Sequence, residues 1–247
     1  MPTFSVILAA AGASTRFNDP HYKKTFAHLN QKPVWLYSAE KFLARPDVKQ
    51  LIVVISREDE EDFRARFAAN VAVMGIDITF GGAERCHSIQ NGLELVSAEC
   101  DHVIIHDAAR PCIADEWIEE LFAVGARSGA AILATPVTST LKRSQDGKQV
   151  DETVPRDGLW MAQTPQCFRV DLLRDAFARR SEDFLPTDES QLVEAMGYPV
   201  AMVTGSPLNI KITTKADLAF AAACLKALPT PRFDAPLHPF QDDNLWR

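Results

Sequence analysis

The chain of 247 residues has no excess of basic charge, no long hydrophobic run and no paired cysteines. Lysine and arginine number 26 against 33 aspartates and glutamates, a net charge of −7, so no electrostatic footprint for DNA or RNA is present. The N-terminal apolar stretch covers about eight residues without a basic flank, so neither a signal peptide nor a membrane span is expected. Cys86, Cys100, Cys112, Cys167 and Cys224 are odd in number, scattered and without a C-x-x-C pair. They read as reduced thiols of a cytosolic protein, not as a disulfide framework or a zinc site. Internal repeats and low-complexity tracts are missing too, as are the P-loop G-x-x-x-x-G-K-[ST] and the dinucleotide G-x-G-x-x-G. What is present is 47% hydrophobic content, enough for a large core in one α/β domain over residues 1–228.

Apolar strand patterns alternate with helical ones, as a mostly parallel sheet with helices on both faces requires. Strands are expected at Phe4–Leu8, Leu51–Ile55, Ile76–Phe80, His102–His106, Ala130–Pro136 and Val200–Thr204. Helices are expected from Pro33, at Glu58–Ala69, at Glu84–Val96 with Ile89, Leu93 and Val96 on one face, and at Asp115–Arg127. A closing helix is expected at Thr214–Leu228, capped by Thr214 or its neighbour. The tail from Pro229 has four prolines and no period, and reads as a loosely docked or disordered extension over 229–247.

Two strand ends carry the chemistry. The first runs into Ala9-Ala10-Ala11-Gly12, then Arg16, Lys23 and Lys24. Small side chains bring the backbone close to a ligand, its N–H groups bind phosphate oxygens, and the cations match the ligand's charge. Alone, this stretch is equally a plain strand-to-helix turn. The second, Val103-Ile104-Ile105-His106-Asp107-Ala108-Ala109-Arg110-Pro111, ends a buried strand in an aspartate. Ligands of open α/β sheets sit beyond the strands' carboxyl ends, and a carboxylate there suits Mg²⁺ shared with phosphates. A lone aspartate at such a position is often only a cap; beside a phosphate cradle it becomes a metal-ligand candidate.

These segments recur in one order with Gly81-Gly82-Ala83-Glu84-Arg85…Ser88, Gly158-Leu159-Trp160…Gln163-Thr164-Pro165-Gln166, Thr187-Asp188-Glu189 and Asn209-Ile210-Lys211. Over residues 4–228 the set resembles the 2-C-methyl-D-erythritol 4-phosphate cytidylyltransferases of the non-mevalonate isoprenoid pathway. The resemblance implies a Rossmann-like nucleotidyltransferase fold and transfer of a cytidylyl group from CTP to a polyol phosphate, with Mg²⁺. It also implies a cytosolic setting, bacterial or, with a transit peptide removed, plastid stroma. Such a reaction needs no general base, because the attacking phosphate oxygen is already an anion. It needs charge cancellation between two polyanions. Arg16, Lys24 and Lys211 match the family's catalytic cations, with Lys23 a rival for the loop position. Ala10, Ala11, Gly12, Gly82, Ala83, Ser88 and Ala108 match its nucleotide contacts. Arg110, Arg156, Thr164 and Thr187 match its acceptor contacts, and Asp107 the metal ligand. Departures fall at Ala83, where the family commonly has aspartate, and at Pro155 and Leu208, where it often has acidic residues. A cytidylyltransferase for another polyol phosphate such as ribitol 5-phosphate, and a non-catalytic nucleotide-binding relative, remain alternatives.

Residues 138–157 interrupt the alternation with two short strand-like runs about Asp146-Gly147, a hairpin turn signal. The resemblance implies an arm that crosses a two-fold axis, a homodimer, and Arg156 reaching the neighbouring subunit's acceptor site.

Overall fold

The computed structural model describes residues 1–14, Phe17 and 23–229. Arg16 and nearly all of the expected tail therefore lie outside the described residues.

Strand β1 (Phe4–Ala9) leads to a tight antiparallel pair, β2 (His28–Leu29) and β3 (Lys32–Pro33). Asn30 and Gln31 turn it with φ of 48° and 68°, the left-handed turn that suits two-residue hairpins. Then follow α1 (Val34–Leu43), β4 (Val48–Ile55), α2 (Glu60–Met74), β5 (Asp77–Phe80), α3 (Arg85–Glu94) and β6 (His102–Asp107). The second half holds α4 (Asp115–Ser128), β7 (Ala130–Pro136), β8 (Leu141–Arg143), β9 (Glu152–Val154) and β10 (Trp160–Arg169). It closes with α5 (Val170–Ala178), α6 (Glu189–Ala195), β11 (Ala201–Thr204) and α7 (Ala216–Ala227). Seven strands form one sheet in the order β11-β7-β10-β6-β1-β4-β5, parallel except for β10, which is antiparallel to both neighbours.

Both faces of this sheet are covered, which is why its central strands are unbroken apolar runs. Val6, Leu8, Val53, Ile55 and Ile104 pack with Trp35, Phe42, Phe63, Leu121 and Phe122 of α1, α2 and α4. Ile7, Ile52, Val54, Val103 and Ile105 point the other way, against Ile89, Leu93, Leu173, Phe177 and Val193 of α3, α5 and α6. Helix α2 runs a turn further than its charge pattern predicts, to Met74, and ends on Gly75 in the left-handed conformation. The segment from Trp160 to Ala195, left without elements by pattern, holds β10, α5 and α6.

Two local details go beyond the sequence pattern. At the closing helix the N-cap is Lys215, the neighbour of Thr214, without a side-chain capping hydrogen bond, and Asp217 reaches back to the preceding threonines. Its carboxylate accepts the N–H groups of Thr213 and Thr214 at 2.8 Å and the Thr213 hydroxyl at 2.7 Å. Burial alone would raise the pKa of Asp217, but these donors outweigh it and lower the group from 3.8 to about 2. A depressed carboxylate stabilises the fold fully above its unfolded pKa and stops doing so as pH falls through the folded one. Asp217→Asn should therefore cost about 1 kcal/mol at neutral pH. In denaturant titrations that deficit should shrink between pH 3.8 and about 2; a deficit independent of pH there contradicts the capping role. The second detail concerns the hairpin. Leu141, Lys142 and Arg143 pair with Val154, Thr153 and Glu152, so a hairpin forms about Asp146-Gly147 as expected, although that pair is not a two-residue turn. It lies inside a longer loop, where Asp146 accepts the N–H groups of Lys148 and Gln149. Eight residues separate the paired strands because the aspartate builds a local turn of its own.

Candidate active site

The sheet changes winding direction between β1 and β6, since β4 and β5 extend it on one side and β6 begins the other. Ligands of open sheets bind in the crevice at such a point. Register places Ala9 beside Asp107 there, so the two motifs singled out in sequence meet at adjacent strand ends. A cleft of about 600 Å³ opens above them, lined by Ala9–Ala13, Lys23, Lys24, Gly81–Arg85, Ser88, Asp107 and Lys211 among others. A smaller one of about 210 Å³ adjoins it, lined by Arg110, Thr164, Thr187 and their neighbours. Arg85, Asp107 and Lys211 line both.

Close packing shapes the wall of the larger cleft. A Cβ on Gly81 would stand 2.5 Å from the Ala11 Cβ, and one on Gly82 2.5 Å from the His87 Cβ, so neither position accepts a side chain. Ser88 Oγ accepts the Gly82 N–H at 3.1 Å and donates to the Glu84 carbonyl at 3.1 Å. Its hydroxyl thus fixes the glycine turn, leaving the exposed Gly82 and Ala83 to face the cleft. On the facing loop Ser14, at φ 54°, accepts the Lys24 N–H at 3.3 Å and so ties the lysine to the small-residue turn. Lys23 Nζ contacts Asp59 at 2.7 Å and Ser56 at 3.0 Å. Those bonds make Lys23 an anchor between the loop and the approach to α2.

Asp107 is the electrostatic centre. Lys211 Nζ lies 2.6 Å from its Oδ2, Arg85 Nη2 3.5 Å from its Oδ1, and Arg110 Nε 3.8 Å from Oδ2. Burial by itself would raise its pKa, but Arg85, Lys211 and Arg110 overcome that and hold it well below the usual carboxylate range. Beneath it, hydrogen-bond roles follow from a carbonyl's inability to donate. His106 Nε2–H donates to the Arg110 carbonyl at 3.1 Å, so Nδ1 accepts from the Thr164 hydroxyl at 3.3 Å. Thr164 Oγ1 in turn accepts the Asp107 N–H at 3.0 Å. Burial lowers His106 to about 4, so the ring stays neutral at physiological pH and acts as scaffold for the Asp107 turn. Lys211 is steered by Asn209, whose side chain donates to the Thr164 carbonyl at 2.9 Å and whose own carbonyl accepts from Arg110 at 2.7 Å. Ile212 N–H bonds to the Ala109 carbonyl at 2.8 Å, fastening this segment over the crevice.

A profile of the family described as IspD, 2-C-methyl-D-erythritol 4-phosphate cytidylyltransferase, matches residues 4–227. The chain belongs to this family. Its relatives of that name include one from Rhodopirellula baltica, 42% identical over 90% of this chain and 94% of the relative. Another, from Bacillus velezensis, is 39% identical over 91% and 96%. The solved cytidylyltransferase from Thermus thermophilus superposes with a TM-score of 0.75 at 30% identity, covering 92% of this chain and all of that one. The family's mostly parallel nucleotidyltransferase sheet is thus the fold of this chain, and the chain is a nucleotidyltransferase.

Most residues matched to the cytidylyltransferase motifs stand around the two clefts: Ala10, Ala11, Gly12, Gly82, Ala83, Ser88, Lys24, Asp107 and Lys211 at the first, Arg110, Thr164 and Thr187 at the second. Ala108 does not. It is fully buried with its N–H bonded to the Ala9 carbonyl, and Ala109 lines the cleft instead. Asp107 and Ala109, two residues apart, face the cleft, and Ala108 between them faces the interior. Arg156 is exposed on the arm and donates to the Thr138 carbonyl, away from both clefts of its own chain. Four charged residues of the motifs have no role in the sequence reading: Glu84 and Asp188, each lining one cleft, Arg85, which lines both, and Glu189, fully buried against Arg85. Only the apposition of Arg85 and Glu189 across 104 residues reveals that pair.

Proposed function

We propose that the chain transfers the cytidylyl group of CTP to 2-C-methyl-D-erythritol 4-phosphate, releasing pyrophosphate on the route to isoprenoid precursors. The observation that carries this is the pair of adjoining clefts sharing Arg85, Asp107 and Lys211. A nucleotide fits the larger, walled by small residues and the glycine turn; a short polyol phosphate fits the smaller, with Arg110 at its rim. The acceptor phosphate oxygen forms a bond to the α-phosphorus as the bond to the bridging oxygen of pyrophosphate breaks. Negative charge then crowds the α-phosphoryl group, and the Lys24 and Lys211 ammoniums supply compensation, together with Arg16. His106, neutral and committed to its three neighbours, takes no proton in this scheme.

The donor set at Asp107 suits one hard divalent cation. The carboxylate is ionised, and among the described residues no cluster of three or more histidine, cysteine or acidic side chains stands together. Mg²⁺ takes one or two carboxylates and fills the rest from phosphates and water, so Asp107 alone would serve. When bound, the cation would offset charge on the triphosphate. Asp107→Asn should abolish the Mg²⁺ dependence of CTP affinity in calorimetric titrations; an unchanged dependence rules the ligand role out.

The arm is read as a dimer contact. Its strands are three residues each, too little to hold alone, and Val150, Leu159, Trp160 and Met161 on and beside it are exposed. A partner subunit would cover them and receive Arg156 at its acceptor cleft. Purified protein incubated with CTP, Mg²⁺ and each of several polyol phosphates, with pyrophosphate release followed, tests the activity. Release with the methylerythritol phosphate alone is expected. Preference for another polyol phosphate reassigns the acceptor, and no release with any of them leaves a nucleotide-binding relative.

A further inference from the structure

Glu189 opens α6 with its side chain fully buried, yet it lines neither cleft. Its partner is Arg85, whose Nη1 donates to both Glu189 oxygens at 2.7 and 2.9 Å. The other arm of the same guanidinium reaches Asp107 Oδ1 only at 3.5 Å. One cation is thus divided between two carboxylates, closely to one and loosely to the other. A buried ion pair contributes little to stability, because desolvating both charges offsets most of their attraction. Its position one contact from Asp107 gives it a different use. An arginine facing a carboxylate tends to fork onto both oxygens. Without the Glu189 charge, Asp107 would be the remaining anion in contact with Arg85. Lys211 already occupies Oδ2 at 2.6 Å, so a fork from Arg85 would engage Oδ1 as well.

We propose that Glu189 is a positioning residue that holds Arg85 back from Asp107 and keeps Oδ1 available to the divalent cation accompanying a nucleoside triphosphate. The inference rests on the reading of Asp107 as a metal ligand. It explains why a glutamate is buried beside an arginine that both clefts share, and why the closer of its two contacts points away from the site.

Mn²⁺ replaces Mg²⁺ as the probe, its protein-dependent affinity at saturating CTP read from the paramagnetic resonance signal of the free ion. Glu189→Gln should weaken that affinity about tenfold, a coupling of the size found between charged neighbours. In an Arg85→Gln background the same substitution should change nothing, since the cation it restrains is gone. Thermal unfolding of each variant reports folding, and the comparison within the Arg85→Gln background stands even where Glu189→Gln alone folds poorly. An equal loss in both backgrounds would make Glu189 only a nearby negative charge and overturn the inference, as would no loss in the native background. Asp107→Asn separates the two readings. If it leaves Mn²⁺ affinity unchanged, the metal assignment fails and this inference with it. If it weakens Mn²⁺ and Glu189→Gln does not, only the positioning role fails.

Discussion

Lys211→Ala is expected to lower kcat by about two to three orders of magnitude while CTP affinity changes only a few-fold. Its ammonium stands where the two clefts join, 2.6 Å from Asp107, on a segment fixed by Asn209 and by the Ile212–Ala109 bond. In the proposed reaction ground-state CTP would meet several other groups along the glycine turn and the small-residue loop. The extra charge that appears as the acceptor oxygen approaches the α-phosphorus has fewer partners, so the lysine matters most there. Folding should survive the change, because Asp107 keeps Arg85 at 3.5 Å and Arg110 at 3.8 Å and is not left as an unpaired buried anion. Lys24→Ala should divide its effect between turnover and binding in the same way. Single-turnover pyrophosphate release, set beside calorimetric CTP binding, measures that division. A rise in KM with kcat intact would put either lysine in ground-state binding and remove it from the transition-state argument.

Those lysines stand out from the many on the surface only through the family motifs around them; what the residues alone make legible is where strands end. The β1 and β6 runs are apolar on both faces because helices cover both, and such runs are the easiest strands to read. Their termini, the small residues Ala10-Ala11-Gly12 and the acidic Asp107, are fixed by the same pattern, and parallel register then brings them together. Strand β10 escapes that logic. Gln163, Thr164 and Gln166 are buried polar residues in its middle, with Pro165 among them, and the register shifts between Ala162 and Gln166. Proline in a run argues against a central strand, and a bulge breaks the two-residue period that would have rescued it. The same irregularity is what delivers the Thr164 hydroxyl to Asp107, so the segment hardest to read is a working part of the site. Helix α6, of seven residues, is too short to show a period. The Arg85–Glu189 pair has no local signature at all, being a product of α3 and α6 meeting on one face of the sheet.

Mixing two inactive variants, Lys24→Ala and Arg156→Ala, is expected to restore about a quarter of native activity at equal amounts, given a two-fold dimer with freely exchanging subunits. Half of the dimers would then be mixed. In each of these one site carries both substitutions and the other carries neither, so half the sites in half the dimers work. The expectation follows from where Arg156 sits. It is exposed at the base of a hairpin of three-residue strands, bonded to the Thr138 carbonyl, and contributes to neither cleft of its own chain. The acceptor cleft meanwhile is small, about 210 Å³, and open. A polyol phosphate held there would meet Arg110, Arg85 and Lys211, but Arg110 is partly committed to the Asn209 carbonyl and Asp107, Arg85 to Glu189, and Lys211 to Asp107. A further arginine from a partner's arm would add a bidentate phosphate contact beside these cations. Deleting 140–152 across a short Gly-Ser link should accordingly give a monomer with almost no turnover, seen by sedimentation and by pyrophosphate release together. A monomeric, fully active deletion variant would show that the arm is dispensable to chemistry. Failure of the mixture to regain activity, with subunit exchange verified by mass-labelled chains, would return Arg156 to the cleft of its own subunit.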